Sequence, residues 1–156
     1  MDIIDYKILA HLQKPADLPL SELAKRVEIS KTACWNRIRR MEEDGVIKGR
    51  HTTLDRQKLK LPIVVFLSIT VGRHSPAWVE RFTNLIEEFD EITEVHRLTG
   101  EGADYQLKII CPTINDYDAL QQKLISQIDF TAMATRVSLQ ELKQSYQLPL
   151  HYETGA

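Results

Sequence analysis

The sequence predicts an α+β fold in which a helix-turn-helix, winged-helix-like domain precedes a ferredoxin-like βαββαβ domain. Three observations support this prediction: helical periodicity fills the first 45 residues, strand and helix patterns alternate after residue 62, and the net charge changes sign between the two parts. Residues 1–60 hold 13 Lys and Arg against 9 Asp and Glu, whereas residues 61–156 hold 7 against 13. Only the first part therefore carries the positive charge that favours a phosphate-bearing partner.

The composition is that of an ordered protein without a membrane span. Of the 156 residues, 43% are hydrophobic and 27% are charged, which is typical of globular domains. The longest apolar stretch, residues 61–71, is about half as long as a bilayer crossing requires. The first residues lack the basic start and cleavage site of a secretory signal, so we expect a cytoplasmic protein with no membrane partner. Cys34 and Cys111 are expected to be buried thiols, and the sequence contains no metal-ligand spacing or cofactor motif.

Three amphipathic helices are predicted within the first 45 residues. The first ends near Gln13, because the prolines in residues 14–19 cannot continue it. The second begins near Leu20 and is capped either by Ser21 or by the residues around Pro19. The apolar side chains of these two helices that would face a common core are Ile4, Ile8, Leu9, Leu12, Leu20, Leu23, Ala24 and Val27.

A third helix is predicted to run from its N-cap, Ser30, to Gly45. With the short helix and tight turn before it, it completes a helix-turn-helix pattern, whose second helix enters the DNA major groove. If Cys34, Ile38 and Met41 face the core, the opposite side presents side chains that pair with base edges and phosphates. The candidate DNA-binding residues are Ser21, Lys31, Thr32, Trp35, Asn36, Arg39 and Arg40.

Other interpretations of this segment stay open. The spacing also fits a small helical bundle with no nucleic-acid partner. Trp35 could pack against the first helix instead of facing DNA. Arg39 and Arg40 could pair with the acidic residues at 42–44 on a solvated helix.

Strand and helix patterns alternate in the second part of the chain. Branched and aromatic residues favour strands, proline after a serine favours a helix start, and a glycine-rich turn between two strand patterns favours a hairpin. The predicted elements are a central strand at 63–71, a helix from Ser75-Pro76, hairpin strands at 92–98 and 105–110, a helix after Pro112-Thr113-Ile114-Asn115, and a last strand in which Val137 and Leu139 alternate with polar residues.

These patterns predict four segments: a DNA-binding domain at 1–50, a linker at 51–61, a ferredoxin-like domain at 62–142 and a C-terminal tail at 143–156. In a βαββαβ order, two helices cover one face of an antiparallel sheet. The other face is expected to be apolar and to require a partner. The sequence therefore predicts self-association.

The turn between the hairpin strands, residues 99–104, is a candidate ligand site. Gly100 and Gly102 let the backbone approach a ligand and offer free amides to a carboxylate, while Asp104 offers the opposite charge to an ammonium group. Asp104 could instead form an Asx turn. Motifs of common enzymes, such as a phosphate-binding glycine loop, a nucleophile elbow or HExxH, do not occur in the sequence. The five histidines are scattered and are expected at the surface or at strand edges.

A set of short motifs runs from Asp2 to about Leu150. The N-terminal ones are Asp5-Tyr6-Lys7-Ile8-Leu9, Leu20-Ser21-Glu22-Leu23-Ala24, Ile29-Ser30, Cys34-Trp35-Asn36-Arg37-Ile38-Arg39-Arg40-Met41-Glu42 and Gly45-Val46-Ile47; Gly100, Asp104-Tyr105 and Leu148-Pro149-Leu150 follow. Together they resemble the leucine-responsive and asparagine-responsive (Lrp/AsnC) family of bacterial transcriptional regulators.

This resemblance implies a sequence-specific regulator that binds double-stranded DNA as a homodimer, often assembled into tetramers or octamers. It also implies that a small amino-acid effector, bound between C-terminal domains, modulates DNA binding or assembly. Three residues separate Gly100 from Asp104 where relatives usually have two, and Glu28 replaces a usual glycine. The implied effector-binding residues are Gly100, Glu101, Gly102, Asp104, Tyr105 and Thr135.

Two other classes of protein remain as alternatives. Sirohaem decarboxylases resemble the same architecture and use histidines on the second and third strands of the C-terminal domain. His96 lies in the first of these strands, but no second histidine follows in the hairpin. A stand-alone amino-acid-binding module would not need a positively charged third helix.

Overall fold

The computed structural model of the protein describes residues 1–14 and 18–150. Residues 15–17 of the proline-containing connection predicted at 14–19, the position of His151 and the end of the predicted tail lie outside the described residues. The chain divides into two compact units. One consists of Met1–Thr53 with the segment that begins at Lys143, and the other is Leu54–Leu142.

The first unit contains the three predicted helices, α1 (Ile3–Leu12), α2 (Leu20–Arg26) and α3 (Lys31–Glu43). Their apolar stripes meet in one core, as the periodicity predicts. The fully buried side chains at its centre are Ile8, Leu23, Cys34, Ile38 and Met41.

The ends of these helices follow the sequence signals with one exception. Ser30 caps α3 by accepting a hydrogen bond from the Ala33 amide at 3.1 Å. Gly45, just after α3, has φ +70°, the left-handed conformation in which glycine commonly ends helices. Two caps of α2 were possible, and the prediction of Ser21 is wrong. The N-cap is Pro19, which forms no side-chain hydrogen bond.

The C-terminal segment of the first unit returns to α1. The Gln13 side chain accepts a hydrogen bond from the Leu148 amide at 2.5 Å and donates one to the Leu148 carbonyl at 3.2 Å. These two bonds hold the backbone near residue 148 in the same way that a neighbouring strand would.

The second unit is a four-stranded sheet with two helices. Its strand order is β2-β3-β1-β4, and every neighbouring pair is antiparallel. The predicted ferredoxin-like order is therefore confirmed, with β1 inside the sheet. The elements are β1 (Ile63–Thr70), α4 (Pro76–Ile86), β2 (Ile92–Arg97), β3 (Tyr105–Cys111), α5 (Ile114–Gln127) and β4 (Ala132–Val137).

The last strand lies several residues before its predicted position. Val137 ends β4, and the Leu139 side chain is 99% exposed. Register with β1 places this strand, because Ala132 pairs with Thr70 and Val137 with Val65. The alanines within β4 carry little apolar pattern, so the alternation after residue 137 was a misleading signal.

The two faces of the sheet differ in composition. The helix-covered face is apolar and is formed by side chains such as Val65, Leu67 and Ile69, which pack with α4 and α5. The expectation of an apolar opposite face is wrong in part. Two transverse rows of residues cross it, Glu94, Lys108, Phe66 and Arg136 in one and His96, Gln106, Ser68 and Ala134 in the next.

The connection before the sheet is a polar turn. The Asp55 carboxylate accepts hydrogen bonds from the amides of Gln57 and Lys58 at 3.0 and 3.2 Å, and residues 44–62 contain no strand. Across residues 1–14 and 18–150, no helix is long and apolar enough to cross a membrane.

Candidate nucleic-acid interface and ligand site

One side of α3 is buried and the other faces solvent. The predicted recognition residues Lys31, Thr32, Asn36, Arg39 and Arg40 are all exposed. Trp35 is 49% exposed and is not part of the core cluster, so packing into that core does not explain its presence. Ser21 is also exposed, in the first turn of α2.

The two predicted DNA-contacting arginines of α3 have different partners. Arg39 pairs with Glu43 at 3.1 Å, and both side chains are about two-thirds exposed. Such a surface pair is worth at most about 1 kcal/mol, so a phosphate or a base can replace Glu43 at little cost. Arg40 pairs instead with Asp5 at 2.9 Å while 55% of its side chain remains exposed.

Asp5 joins α1 to α3, a role that sequence analysis did not predict. Its carboxylate is fully buried and accepts hydrogen bonds from Arg37 at 2.7 Å and Arg40 at 2.9 Å. It also accepts from the Asp2 amide at 2.9 Å, which completes a capping box at the start of α1. Arg37 donates a second bond to Asp2 at 2.7 Å. The spacing of Asp2 and Asp5 was the available signal, because an N-cap and a third helical residue that are both acidic favour a capping box.

The charges in this cluster stabilise one another. Burial alone raises the pKa of the Asp5 carboxyl, but the Asp2 amide and the Arg37 guanidinium outweigh it, so the pKa lies below its ordinary value. The Arg37 hydrogen bond likewise lowers the pKa of Asp2. Asp5 therefore remains a carboxylate in the folded protein at neutral pH, which fixes the turn of α3 that carries Arg37 and Arg40.

The hairpin tip has the backbone geometry that the sequence predicts. Gly100 and Gly102 have φ values of +116° and +109°, which side chains with a Cβ rarely adopt. Within the described part of the chain, the amides of Gly100, Glu101 and Gly102 donate no hydrogen bond. The tip thus offers several amides to an anionic group.

Asp104 is attached to the end of β1. Its amide donates to the Ile69 carbonyl at 2.8 Å, and its carboxylate oxygen Oδ2 accepts from the Val71 amide at 2.6 Å. The other oxygen, Oδ1, lies 4.0 Å from His74 Nε2, farther than a hydrogen bond. The Asx turn expected as the alternative is therefore wrong, because the carboxylate binds the end of β1 instead of an amide next to it in the chain. Oδ1 retains acceptor capacity.

His74 is a member of this site that sequence analysis missed. Its Nε2 is buried without a hydrogen-bond partner among the described residues, and its ring centroid lies 5.7 Å from that of Tyr105 and 6.1 Å from that of Trp78. Tyr105 is itself buried. No motif links His74 to residues 30 positions later, so only the pairing of β1 with β3 brings them together.

Thr135 is separate from the tip. β1 lies between β3 and β4, so Thr135 is two strands away from Tyr105. Its hydroxyl forms a hydrogen bond with the Tyr117 hydroxyl of α5 at 2.5 Å. The structure therefore brings together Gly100, Gly102, Asp104 and Tyr105, with the exposed Glu101 beside them, but not Thr135.

Both halves of the chain match known families. Residues 1–48 match the family described as "Winged helix-turn-helix DNA-binding", and residues 64–148 match the "Lrp/AsnC ligand binding domain". The glutamate uptake regulatory protein of Zymomonas mobilis is 43% identical over 150 residues, which are 96% of this chain and 91% of that protein.

Two solved structures have the same fold over nearly the whole chain. An AsnC family transcriptional regulator from Agrobacterium tumefaciens is 39% identical with a TM-score of 0.91, covering 97% of this chain and 99% of that one. A transcriptional regulator from Neisseria meningitidis, solved as a complex with L-Met, is 26% identical with a TM-score of 0.90, covering 98% of this chain and 99% of that one.

These matches decide between the classes of protein that the sequence left open. The two family matches pair a DNA-binding domain with a ligand-binding domain. A stand-alone amino-acid-binding module would lack the DNA-binding domain. They indicate regulators rather than decarboxylases. The chain belongs to the Lrp/AsnC family of transcriptional regulators.

Proposed function

We propose that this protein binds specific double-stranded DNA sequences through α3 and that a small amino acid modulates its DNA binding or its assembly. The observation that carries the first part is the division of α3 into a buried apolar side and an exposed side of base-pairing and phosphate-pairing residues. The Asp5 cluster supports it, because it fixes the orientation of α3 against α1.

The roles of the exposed residues follow from their chemistry. Asn36 and Arg39 are suited to adenine and guanine edges, and Lys31 and Arg40 to phosphates. Thr32, Trp35 and Ser21 complete the proposed interface. Arg40 would both hold α3 to α1 and bind a phosphate, because its guanidinium binds Asp5 while half of its side chain remains exposed.

A DNA-binding measurement tests this interface. A fragment selected from random duplexes by the wild-type protein is titrated with the triple variant Thr32→Ala, Asn36→Ala, Arg39→Ala. Loss of each base contact costs about 1 to 3 kcal/mol, so we expect specific affinity to fall by at least about tenfold. Arg81→Ala removes a comparable exposed charge from α4 and should leave affinity unchanged. Equal affinity of the triple variant and the wild type would contradict the proposal.

The second part of the proposal concerns the hairpin tip. The amides of Gly100, Glu101 and Gly102 would bind the carboxylate of an amino acid, and Asp104 Oδ1 its ammonium group. The buried Tyr105 ring lies beside His74, whose Nε2 faces Asp104 Oδ1. Thr135 would join only if another copy of the chain completes the site. The Neisseria regulator's complex with L-Met supports an amino acid as the type of ligand.

We further propose a homodimer that assembles into tetramers or octamers and acts in the cytoplasm. Phe66, which is 37% exposed, and the partly buried Ile110 lie on the sheet face without helices, and a second copy would cover them. A two-fold dimer would present two recognition helices about one DNA turn, roughly 34 Å, apart. Its binding site would then be a pseudo-palindrome. The domain limits 1–50 and 62–142, with the linker at 51–61 and the tail at 143–156, remain part of this proposal.

A further inference from the structure

The hairpin tip is fastened to the end of β1 by hydrogen bonds on both sides of Ala103. The Thr70 hydroxyl donates to the Gly102 carbonyl at 3.0 Å. Two positions later, the Asp104 amide donates to the Ile69 carbonyl at 2.8 Å. Ala103 therefore lies between two residues that are both held to β1.

Thr70 has a fixed position from which to hold the tip. It is the last residue of β1, and it pairs with Ala132 of β4. Its carbonyl also accepts a hydrogen bond from the Thr131 amide at 2.9 Å. Because a branched side chain has few rotamers, the sheet determines where the Thr70 hydroxyl lies.

The peptide between Gly102 and Ala103 needs such a bond to keep one orientation. Gly102 has φ +109°, and glycine adopts both signs of φ at little cost. A trans peptide is planar, with its C=O and N–H groups on opposite sides. The Thr70 hydroxyl binds the carbonyl of this peptide, so it directs the Ala103 amide away from Thr70.

The Ala103 amide is left free to bind a ligand. It has no acceptor among the described residues, although Ala103 is partly buried. Backbone amides that are shielded from water require a partner, and an ionised acceptor gives a stronger bond than a neutral one. The amide is therefore suited to the carboxylate of an amino acid whose ammonium group would bind Asp104.

We propose that Thr70 is a positioning residue of the amino-acid site and that the Ala103 amide, which Thr70 orients, donates to the carboxylate of the bound amino acid. This inference rests on the amino-acid site proposed above at the hairpin tip. It adds a fourth amide to the carboxylate end of that site and assigns the residue that holds this amide in place. A donor that is oriented before binding loses less conformational entropy when the amino acid binds.

Calorimetric titration with amino acids and their carboxamides tests this role. Each of the twenty amino acids is titrated into the wild type, and each one that binds is compared with the analogue in which an uncharged carboxamide replaces the carboxylate. The wild type should prefer the acid, because the amides at the tip bind a charged acceptor more strongly.

Thr70→Val is the informative variant, because it keeps the shape of the side chain and removes the hydroxyl. We expect it to bind the acid about three- to tenfold more weakly than the wild type does, the usual net effect of one hydrogen bond. Its affinity for the carboxamide should change less. The preference for the acid over the carboxamide should therefore fall.

Two further variants separate this role from a general effect of the substitution. Thr70→Ser keeps the hydroxyl and should retain the wild-type preference for the acid. Thr83→Val makes the same change on α4, where the Thr83 hydroxyl donates to the Val79 carbonyl at 2.9 Å, and should bind both compounds as the wild type does. Urea denaturation establishes that each variant is folded before it is titrated.

The outcomes separate this inference from the proposal on which it depends. If no amino acid binds the wild type, the amino-acid site and the inference fail together. If an amino acid binds but Thr70→Val keeps the full preference for the acid, the inference alone fails. An equal loss of affinity for the acid and the carboxamide, or a lost preference in Thr70→Ser, would overturn it as well, because a purely structural role of Thr70 explains those results.

Discussion

Glu28 occupies the least favourable backbone position for its side chain in the described part of the helix-turn-helix unit. Its φ of +58° is left-handed, and this conformation costs most residues about 1 to 2 kcal/mol. The tight turn between α2 and α3 requires it, because the Ile29 amide returns to the Ala24 carbonyl at 3.0 Å. Glu28 therefore departs, at a cost in backbone energy, from the glycine that the family resemblance implies at this position.

We predict that Glu28→Gly stabilises the protein. Glycine removes the left-handed penalty but loses more backbone entropy on folding, so the expected gain in free energy of unfolding is about 0.5 to 1 kcal/mol. Urea denaturation measures it. Lys25→Gly, in the last turn of α2, should instead lower the free energy of unfolding by up to about 1 kcal/mol. If Glu28→Gly is no more stable than Glu28→Ala, the turn carries no such strain.

Individual side chains could be predicted where one helix determines their direction. Cys34, Ile38 and Met41 are buried and Thr32, Asn36 and Arg39 are exposed, as a rotation of about 100° per residue requires. Asp5 and His74 could not be assigned in this way. Their environments depend on partners 32 and 30 positions away in the chain, Arg37 and Asp104, which local periodicity does not identify.

At the scale of secondary-structure elements, Asp5 connects α1 to the recognition helix. Because its pKa is lowered in the folded state, the unfolded chain takes up a proton at a higher pH than the folded one. The stabilisation is therefore complete above the ordinary pKa of about 3.8 and is lost as the pH falls through the lowered value.

We predict that Asp5→Asn destabilises the protein and weakens its response to acid. Loss of charged hydrogen bonds to Arg37 and Arg40 should lower the free energy of unfolding at pH 7 by about 1.5 to 3 kcal/mol. Urea denaturation from about pH 5 to about pH 3 should give a smaller loss of stability for the variant than for the wild type. Asp90→Asn, at an exposed position, should behave as the wild type. An unchanged acid response in Asp5→Asn would assign that response to other carboxylates.

Elements were predictable where the chain carries its own end signals. Ser30 and Ser75 cap α3 and α4 as expected, because their hydroxyls bind amides only three residues away. β4 was misplaced because its position depends on hydrogen bonds to β1. The sequence of an edge strand with few apolar residues does not contain that information.

At the scale of the whole molecule, the change from helical periodicity to strand alternation correctly predicted a helix-turn-helix unit and a ferredoxin-like unit. The character of the open sheet face was less predictable. Its rows combine residues from four separate strands, so the mixture of charged, polar and apolar side chains across this face becomes visible only when the strand register is known.

In the proposed function, an amino acid bound at the hairpin tip changes DNA binding by the same protein. An effector shifts an equilibrium only through its different affinities for the two states. Couplings are typically about 1 to 3 kcal/mol, or about 5- to 150-fold in affinity. Asp104→Asn is the suitable variant, because its side-chain carbonyl can still accept from the Val71 amide while the charge that would bind an ammonium group is removed.

The most direct test measures affinity for the selected DNA fragment with and without each of the twenty amino acids, for the wild type, Asp104→Asn and the control Asp118→Asn on the exposed side of α5. We predict that at least one amino acid changes wild-type affinity or stoichiometry by about fivefold or more, that Asp118→Asn responds equally, and that Asp104→Asn binds DNA normally but does not respond. No response in the wild type, or an equal response in Asp104→Asn, would contradict the account.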